Sequence, residues 1–552
     1  ETDRTWRLLQ PLHDRSLRIR AATHLPNMLP SAPVLQAALG RLRSNLHALT
    51  SDTTTLDCEH FQKCGPHDPP QNISDWYPTY PLHYHLMDAA DTMRIAAAVS
   101  RLYWRAAKGI SWVAPPRFLW ARQRQRHLSQ GRGVRTKIRV GFLSRFFYYS
   151  HSLGQHIRGV MQHLDRSRFL VMAIHIQSEG ELQSEDDMIG LADQDVYISP
   201  VVGNLHASRM RVASLRLDVL VFPDIGMEAV SYFMAFARLA PVQVSSWCFP
   251  ASLGTGQIDY FLSADGLEPD GDSDDDDATA ARDHYWEQIV QFRGGAPPWY
   301  FFKEDALRVP RSSSAARNLT TRFPLTRMHG GKDTTDETGM TTHLLHADRR
   351  DQDPKNAQFH YYLVPQNPIK LHSAMDPVLR AILEADPLAI LIILSEPNFE
   401  ETLQTRFRGS FEAHSARVLF VPRTKDRFSF RELLASVDVI LDPWPWGGWT
   451  TTLQALCAKT PVVTLAARDA RSRFTLNAYL SLGISELVAR NTSDYVRIAV
   501  DLASAGAVAK RALDEKLGRA EALLLETPGT MLRWHAFLVR AVRLADGEFG
   551  DT

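Results

Sequence analysis

Cysteine is scarce in this chain: four in 552 residues, too few for a disulfide scaffold at that length. Excess charge is absent as well, since 62 Lys and Arg balance 62 Asp and Glu and leave a formal net charge of zero. That balance argues against a protein that coats nucleic acid or an anionic membrane by bulk electrostatics. No apolar run reaches the ~18 residues that a membrane-spanning helix needs. Some short signatures of familiar chemistry are missing too. The Gly-Lys-Ser/Thr ending of a Walker loop does not occur, nor does a Gly-x-Ser-x-Gly elbow at a strand-to-helix turn. No Asp-x-Asp pair sits at a strand end, because Asp272-Ser-Asp274 lies inside an acidic run. What is present is an ordinary globular composition, 44% hydrophobic and 22% charged, in a length that predicts about two to four domains. Opening at Glu1 rather than Met, the chain reads as a fragment, so the lack of a leader says little about compartment.

Periodicity divides the chain. Residues 1–115 read as helical, with apolar spacings of three and four over Val34–Leu49 and Leu86–Ala107, broken by the polar, proline-rich stretch 58–81. No second copy of a helical-pair repeat is found. A basic linker follows over 116–136. From Lys137 the texture changes to short apolar runs alternating with helical stretches. Ile138–Leu143, Leu170–Ile176, Val219–Phe222, Val242–Trp247 and Tyr260–Leu262 predict strands buried on both faces, as in a parallel sheet, in a lobe spanning 137–302. Asp270–Asp277 is an acidic, solvated loop, and 303–356 reads as a disordered insertion. Alternation resumes over 357–525 with Tyr361–Val364, Ala389–Leu394, Val418–Val421, Val437–Leu441 and Val462–Leu465; helical pattern runs through Ala505–Ala545, with 526–552 a closing helix and tail. The fold class expected is α/β: two doubly wound, Rossmann-like lobes facing a cleft, behind a helical N-terminal segment.

Candidate chemistry gathers at the C-terminal ends of strands, where open α/β sheets bind ligands. After Val437–Leu441 comes Asp-Pro-Trp-Pro-Trp-Gly-Gly-Trp-Thr-Thr-Thr452. Gly447 and Gly448 let backbone approach a ligand, and Thr450 and Thr451 would open a helix whose free N–H groups favour a phosphate; the plain alternative is a tight turn with a threonine N-cap. Lys370, just past Tyr361–Val364, could neutralise a departing diphosphate, or could be a solvated lysine at a helix start. His151 could act as a base or donor, or merely cap a helix. Asp224 is a candidate acceptor-side carboxylate, with an N-cap as its alternative. Cys58, His60, Cys64 and His67 lack the spacing of a zinc site, and Cys248 and Cys457 read as buried thiols. Asn72, Asn318 and Asn491 head sequons of a kind that arise by chance.

Together these segments resemble the catalytic region of the O-linked N-acetylglucosaminyltransferase/SPINDLY family, especially its bacterial-type members. The resemblance rests on Ala21–Leu49, Ile138–Phe147, Val221–Met227, Tyr232–Gln243, Ile258–Leu262, Gln366–Lys370 and Leu441–Thr464, and covers roughly 20–545 apart from the acidic loop and the 303–356 insertion. It implies a GT-B fold and an inverting, metal-independent transfer of a sugar from a nucleotide diphosphate to Ser/Thr hydroxyls of proteins. His151 matches a histidine near sugar and acceptor, and Lys370 the lysine on the donor's phosphates. Gly447, Gly448, Thr450 and Thr451 match the phosphate turn, Phe430 a ring stacked on the base, and Gln366 and Asn367 the flank of the donor pocket. Gln454 stands where relatives place a carboxylate on the ribose, and Trp449 where they place His or Asn. The long tetratricopeptide array of many members is missing from this chain.

The resemblance thus implies an enzyme using UDP-GlcNAc, with GDP-fucose or UDP-glucose as alternative donors, or an inactive relative that binds nucleotide sugar or polypeptide. No cofactor or metal is expected. The partners expected are a nucleotide sugar and acceptor polypeptides, with neither nucleic acid nor membrane. Cytoplasm, and with it the nucleus, is the compartment the family implies.

Overall fold

The computed structural model describes residues 22–26, 28–29, 31–51, 85, 88–106, 108–120, 137–177, 187–201, 205–269, 284–294, 297–306, 326–327, 359–423 and 427–548. The chain divides into two compact units: 1–25, 37–302 and 526–552 form the first, and 26–36 with 303–525 the second. Each is built on one twisted sheet flanked by helices.

The first unit holds seven strands: β1 (Ile138–Ser144), β2 (Phe169–Ile176), β3 (Gln194–Ile198), β4 (Val219–Phe222), β5 (Val242–Ser246), β6 (Tyr260–Ala264) and β7 (Gln288–Phe292). Their order is β3-β2-β1-β4-β5-β6-β7 and every pairing is parallel. The central strands β4 and β5 are buried residue for residue, which is why they read as unbroken apolar runs. The order reverses between β1 and β4, so the loops leaving those two strands diverge to opposite faces and frame a crevice.

Two helical segments join this unit. In Ala89–Ala106, Ser100 Oγ donates to the Leu253 carbonyl at 2.8 Å. The Tyr103 ring meets Phe233 edge-on at 5.3 Å. Contact is close enough to dictate a glycine: Gly254 has φ +62°, and a Cβ there would lie 2.6 Å from the Ala97 Cβ. The terminal helix Pro528–Ala545 contributes Trp534, Phe537, Leu538, Ala541 and Val542 to the core under β1, β4 and β5. The chain thus leaves the first unit after Phe302 and returns at Glu526, which has φ 50°. The helical stretch Ala505–Ala545 comprises Ala507–Leu517, Ala520–Leu524 and Pro528–Ala545.

The second unit holds β8 (Thr326–Arg327), β9 (His360–Val364), β10 (Ala389–Ser395), β11 (Val418–Pro422), β12 (Val439–Leu441) and β13 (Val462–Val463) in the order β13-β12-β9-β10-β11-β8. All pair in parallel except β8, which runs antiparallel along β11. Here the order reverses between β9 and β12. The expectation of disorder throughout 303–356 is corrected at two places: Lys303–Ala306 is a helical turn with Asp305 and Ala306 buried, and 326–327 is an edge strand. Composition alone hides both, because each is too short to carry a period. The remaining positions of that segment lie outside the described residues, as do 58–81 with Cys58, His60, Cys64 and His67, most of the 116–136 linker, and the acidic run. Among the described residues no helix is long and apolar enough to cross a membrane.

Trp534 shows how firmly the returning helix is seated. It is wholly buried, its Nε1 donates to the Pro298 carbonyl at 2.8 Å, and Phe142 and Phe292 lie 6.1 Å away. Trp534→Ala should cost about 3–5 kcal/mol in denaturant unfolding of the first unit. A loss under about 1 kcal/mol would mean that the helix is not part of that core.

Candidate functional site

In the second unit the loops after β9 and β12 meet at the switch point. Asn367 caps the short 3-10 turn Pro368–Lys370, its Oδ1 accepting from Ile369 N at 3.0 Å while its Nδ2 donates to Glu396 at 3.1 Å. This fixes the direction of Lys370. The Lys370 Nζ donates to the Gly447 carbonyl at 3.0 Å and lies 5.6 Å from the Trp446 ring centre. Lys370 is thus half-buried and held to the turn rather than free in solvent; desolvation pulls its pKa down to about 8, against the opposing charge of Asp442.

The turn itself is clamped from below. Gly447 N donates to the Arg471 carbonyl at 2.8 Å, and Gly448 N to Asp442 Oδ1 at 2.7 Å. From above, the Gln366 amide donates to Thr451 Oγ1 and sits so close that a Cβ on Gly448 would be 2.2 Å from its nitrogen. Any larger residue there would have to displace the Gln366 amide from Thr451. The helix Thr450–Cys457 starts directly after, with Trp449 at its N-cap supplying no side-chain cap. The threonine N-cap reading thus fails, and Thr450 and Thr451 stand half-buried in the first turn. Trp444, Trp446 and Trp449 are all buried; Trp444 packs on Tyr495 and Trp449 on Phe474, both at 5.4 Å. They wall the corner with low-dielectric surface.

Phe430 lies half-buried on the helix Arg427–Ala435, which packs against Thr450–Cys457. Gln454 differs from its expected role. It is buried, and its Nε2 donates at 3.4 Å to the Asp305 carbonyl, which also accepts from Arg431. Its amide is engaged inside the unit and is not presented as a ribose grip.

The first unit repeats the geometry with different chemistry. Asp224, after β4, is wholly buried; its Oδ2 accepts from Ser144 Oγ at 3.0 Å and Arg145 N at 3.1 Å, both at the end of β1, and among the described residues its Oδ1 has no hydrogen-bond partner. The N-cap of the helix Ala229–Met234 is Glu228, not Asp224. Burial, and after it the charge of Glu228, pushes the Asp224 carboxyl up to about 8, so it is neutral at pH 7. With no exposed surface, it is not placed to receive an acceptor as the sequence led one to expect. His151 caps the helix Ser152–His163: its Nδ1 accepts from Leu153 N at 3.2 Å, and its ring stacks on Phe146 at 4.5 Å. Accepting at Nδ1 leaves Nε2 as the protonated nitrogen of the neutral ring, which suits a donor rather than a base.

Asp442 and Glu228 are not among the candidates read from sequence; Asp442 lies within Leu441–Thr464, and Glu228 directly follows Val221–Met227. The available signal for Asp442 was its place immediately after an all-apolar strand. Among the described residues no group of three or more His, Cys, Asp and Glu is arranged to hold a metal ion.

The raised Asp224 pKa has a definite sign. The unfolded carboxyl ionises near its ordinary value while the folded one stays protonated, so wild-type stability falls as pH rises from about 4 to about 8. Asp224→Asn removes that dependence. Its stability relative to wild type should therefore improve across this window and level off above it, as read by thermal unfolding at pH 5 and 8.5. A relative loss with rising pH would show Asp224 to be ionised in the fold.

Comparison with known proteins bears on the corner of the second unit. The model of glycosyl transferase family 41 matches residues 342–525. SPINDLY of Arabidopsis thaliana, named a probable UDP-N-acetylglucosamine–peptide N-acetylglucosaminyltransferase, is 30% identical over 126 residues, 22% of this chain and 14% of that protein. The UDP-N-acetylglucosamine–peptide N-acetylglucosaminyltransferase of Caenorhabditis elegans is 34% identical over 122 residues, 22% of this chain and 10% of its own length. The chain thus matches only a small part of the length of these relatives. Over its whole length it superposes on an O-GlcNAc transferase variant from Thermobaculum terrenum with a TM-score of 0.62 at 20% identity, covering 100% of this chain and 95% of the other, a likeness of fold. The two Rossmann-like units have the GT-B fold of that structure, and residues 342–525, which hold Lys370 and the Gly447–Gly448 turn, match the model of glycosyl transferase family 41.

Proposed function

We propose that this chain is an inverting protein glycosyltransferase that moves GlcNAc from UDP-GlcNAc onto Ser/Thr hydroxyls, with metal-independent stabilisation of the leaving diphosphate. One observation carries the reading: the half-buried Lys370 ammonium donates to the Gly447 carbonyl, beside a helix start with no side-chain cap, at the switch point of the second unit. A diphosphate seated there would meet the ammonium and the N–H groups of the first helical turn. As the bond from the anomeric carbon to the diphosphate oxygen breaks, negative charge grows on that oxygen. A preorganised cation with low-dielectric tryptophan walls stabilises it without reorganisation. The acceptor oxygen attacks the opposite face of the anomeric carbon, forming the new glycosidic bond with inverted configuration, and its proton passes to a base. Phe430 supplies a ring for the base of the nucleotide.

A second reading, binding of a nucleotide sugar without turnover, draws on Gln454. Its engagement with Asp305 leaves the ribose without the charged partner that relatives supply there, and a charge-assisted bond is worth about twice a neutral one.

Two measurements decide between them. UDP should raise the unfolding temperature more than GDP does, because a selective ligand stabilises by mass action. With labelled UDP-GlcNAc and a protein extract, wild type should transfer label to protein, and Lys370→Ala should be slower by about two to three orders of magnitude. Wild-type rates from that variant would remove Lys370 from the mechanism, and absence of transfer by wild type despite UDP binding would favour the second reading.

A further inference from the structure

The carboxylate that directly follows β12 is held by donors from three separate segments. Asp442 is 2% exposed. Its Oδ1 accepts from Gly448 N at 2.7 Å; its Oδ2 accepts from Thr464 Oγ1 at 2.9 Å and Thr475 Oγ1 at 2.7 Å. These donors come from separate segments: the turn itself, the residue after β13, and the helix Phe474–Leu482. Its backbone carbonyl accepts from Tyr495 at 3.1 Å. A Cβ added to Gly447 would lie 3.0 Å from Oδ2, so the carboxylate sits directly beneath the residue whose carbonyl receives Lys370. Such a wholly buried carboxylate is costly unless it is hydrogen-bonded and faces a countercharge, and here both conditions are met.

We propose that Asp442 is the positioning residue of this corner: it clamps the Gly447–Gly448 turn through the Gly448 amide and, by its negative charge, holds the Lys370 ammonium against that turn. The proposal rests on the diphosphate reading and says how that site is kept assembled. Asp442 touches no donor atom in this scheme. It acts through Gly448 and Lys370.

The charge matters because burial works against Lys370. Desolvation brings its pKa down to about 8, close enough to neutral pH that loss of the opposing carboxylate charge would discharge a large share of the ammonium. The other titratable groups around Asp442 do not replace it. Tyr479 and Tyr495 are buried phenols held neutral, burial and the Asp442 charge both raising their pKa values. Arg471, whose carbonyl receives Gly447 N, has its guanidinium paired with Asp469 at 2.9 Å. Glu396 bonds Asn367 and Arg423. Among the described residues, Asp442 is the one charged group that acts on Lys370.

Asp442→Asn keeps the shape and an acceptor for Gly448 N while removing the charge. Two readouts follow on the full chain, after circular dichroism has shown the fold intact. The first is amidination of Lys370 by an imidoester, followed by peptide mass spectrometry across pH 6–10. The wild-type half-point should fall near 8 and that of Asp442→Asn ~1 pH unit lower. The second is UDP titration at pH 7.5, where that displacement should weaken binding about threefold, with a smaller deficit at pH 6.5. If Asp442→Asn does not fold, Thr464→Val/Thr475→Val replaces it, since loss of both hydroxyl donors lets the carboxylate take up a proton and should move the same half-point downward. Labelling curves that coincide with wild type overturn the proposal. Displaced curves with no UDP binding by wild type leave the clamp standing and overturn the diphosphate reading instead.

Discussion

A half-buried lysine and a buried aspartate on either side of a two-glycine turn organise the corner of the second unit. Neither charge is tolerable alone in a corner walled by Trp444, Trp446 and Trp449. Asp442 is accommodated by three donors and the facing cation; Lys370 by the Gly447 carbonyl, the Trp446 ring and the facing carboxylate. Because breaking one partner of a buried pair strands the other, the corner is cooperative: the turn, the 3-10 helix and the helix at Thr450 hold their places together. The arrangement suits anion binding. The carboxylate faces the underside of the turn through a backbone amide, while the ammonium has its desolvation partly offset but no carboxylate in direct contact, which leaves it receptive to a further negative group.

The same doubly wound logic occurs twice in the chain and serves different chemistry. At each reversal of strand order, a side chain after one strand bonds the loop after its neighbour: Asp224 with Ser144 and Arg145 in the first unit, Lys370 with Gly447 in the second. In the first unit no cation offsets the buried carboxyl, and the nearest strong influence is another carboxylate, Glu228, so the group stays protonated. In the second unit opposite charges face each other. Topology supplies the crevice, and the identity of a few residues at the strand ends decides whether it holds a neutral acid or a cation.

How much of this was legible follows from how each signal arises. Central parallel strands are apolar on both faces, so β1, β2, β4, β5, β9 and β10 announced themselves as runs. The edge strands β3 and β7 are exposed in part and interrupted by Gln, Asp and Tyr, and a search for continuous apolarity passes over them. Strand ends could be located, and with them Lys370, His151 and Asp224, but the order of strands in space is a long-range property that no local pattern encodes. It was the order β12-β9 that brought Asp442, Gly448, Gln366 and Lys370 into one corner. For His151 the sequence already offered a helix cap beside a base or donor, and the helix starting at Ser152 realises that cap through Nδ1.

Gln454 illustrates how a substitution acquires its meaning from its surroundings. Resemblance alone reads it as a weakened ribose contact. In the fold its Nε2 points to the Asp305 carbonyl, on the one-turn helix Lys303–Ala306, and Arg431 donates to the same oxygen. A carboxylate at 454 would set two acceptors against each other there, with only the guanidinium to separate them, whereas an amide donates. The glutamine is thus matched to a segment that carries no periodicity of its own. Under the proposed reading, the electrostatic contribution to donor binding is concentrated at the diphosphate end, where Lys370 and the first turn of the Thr450 helix lie.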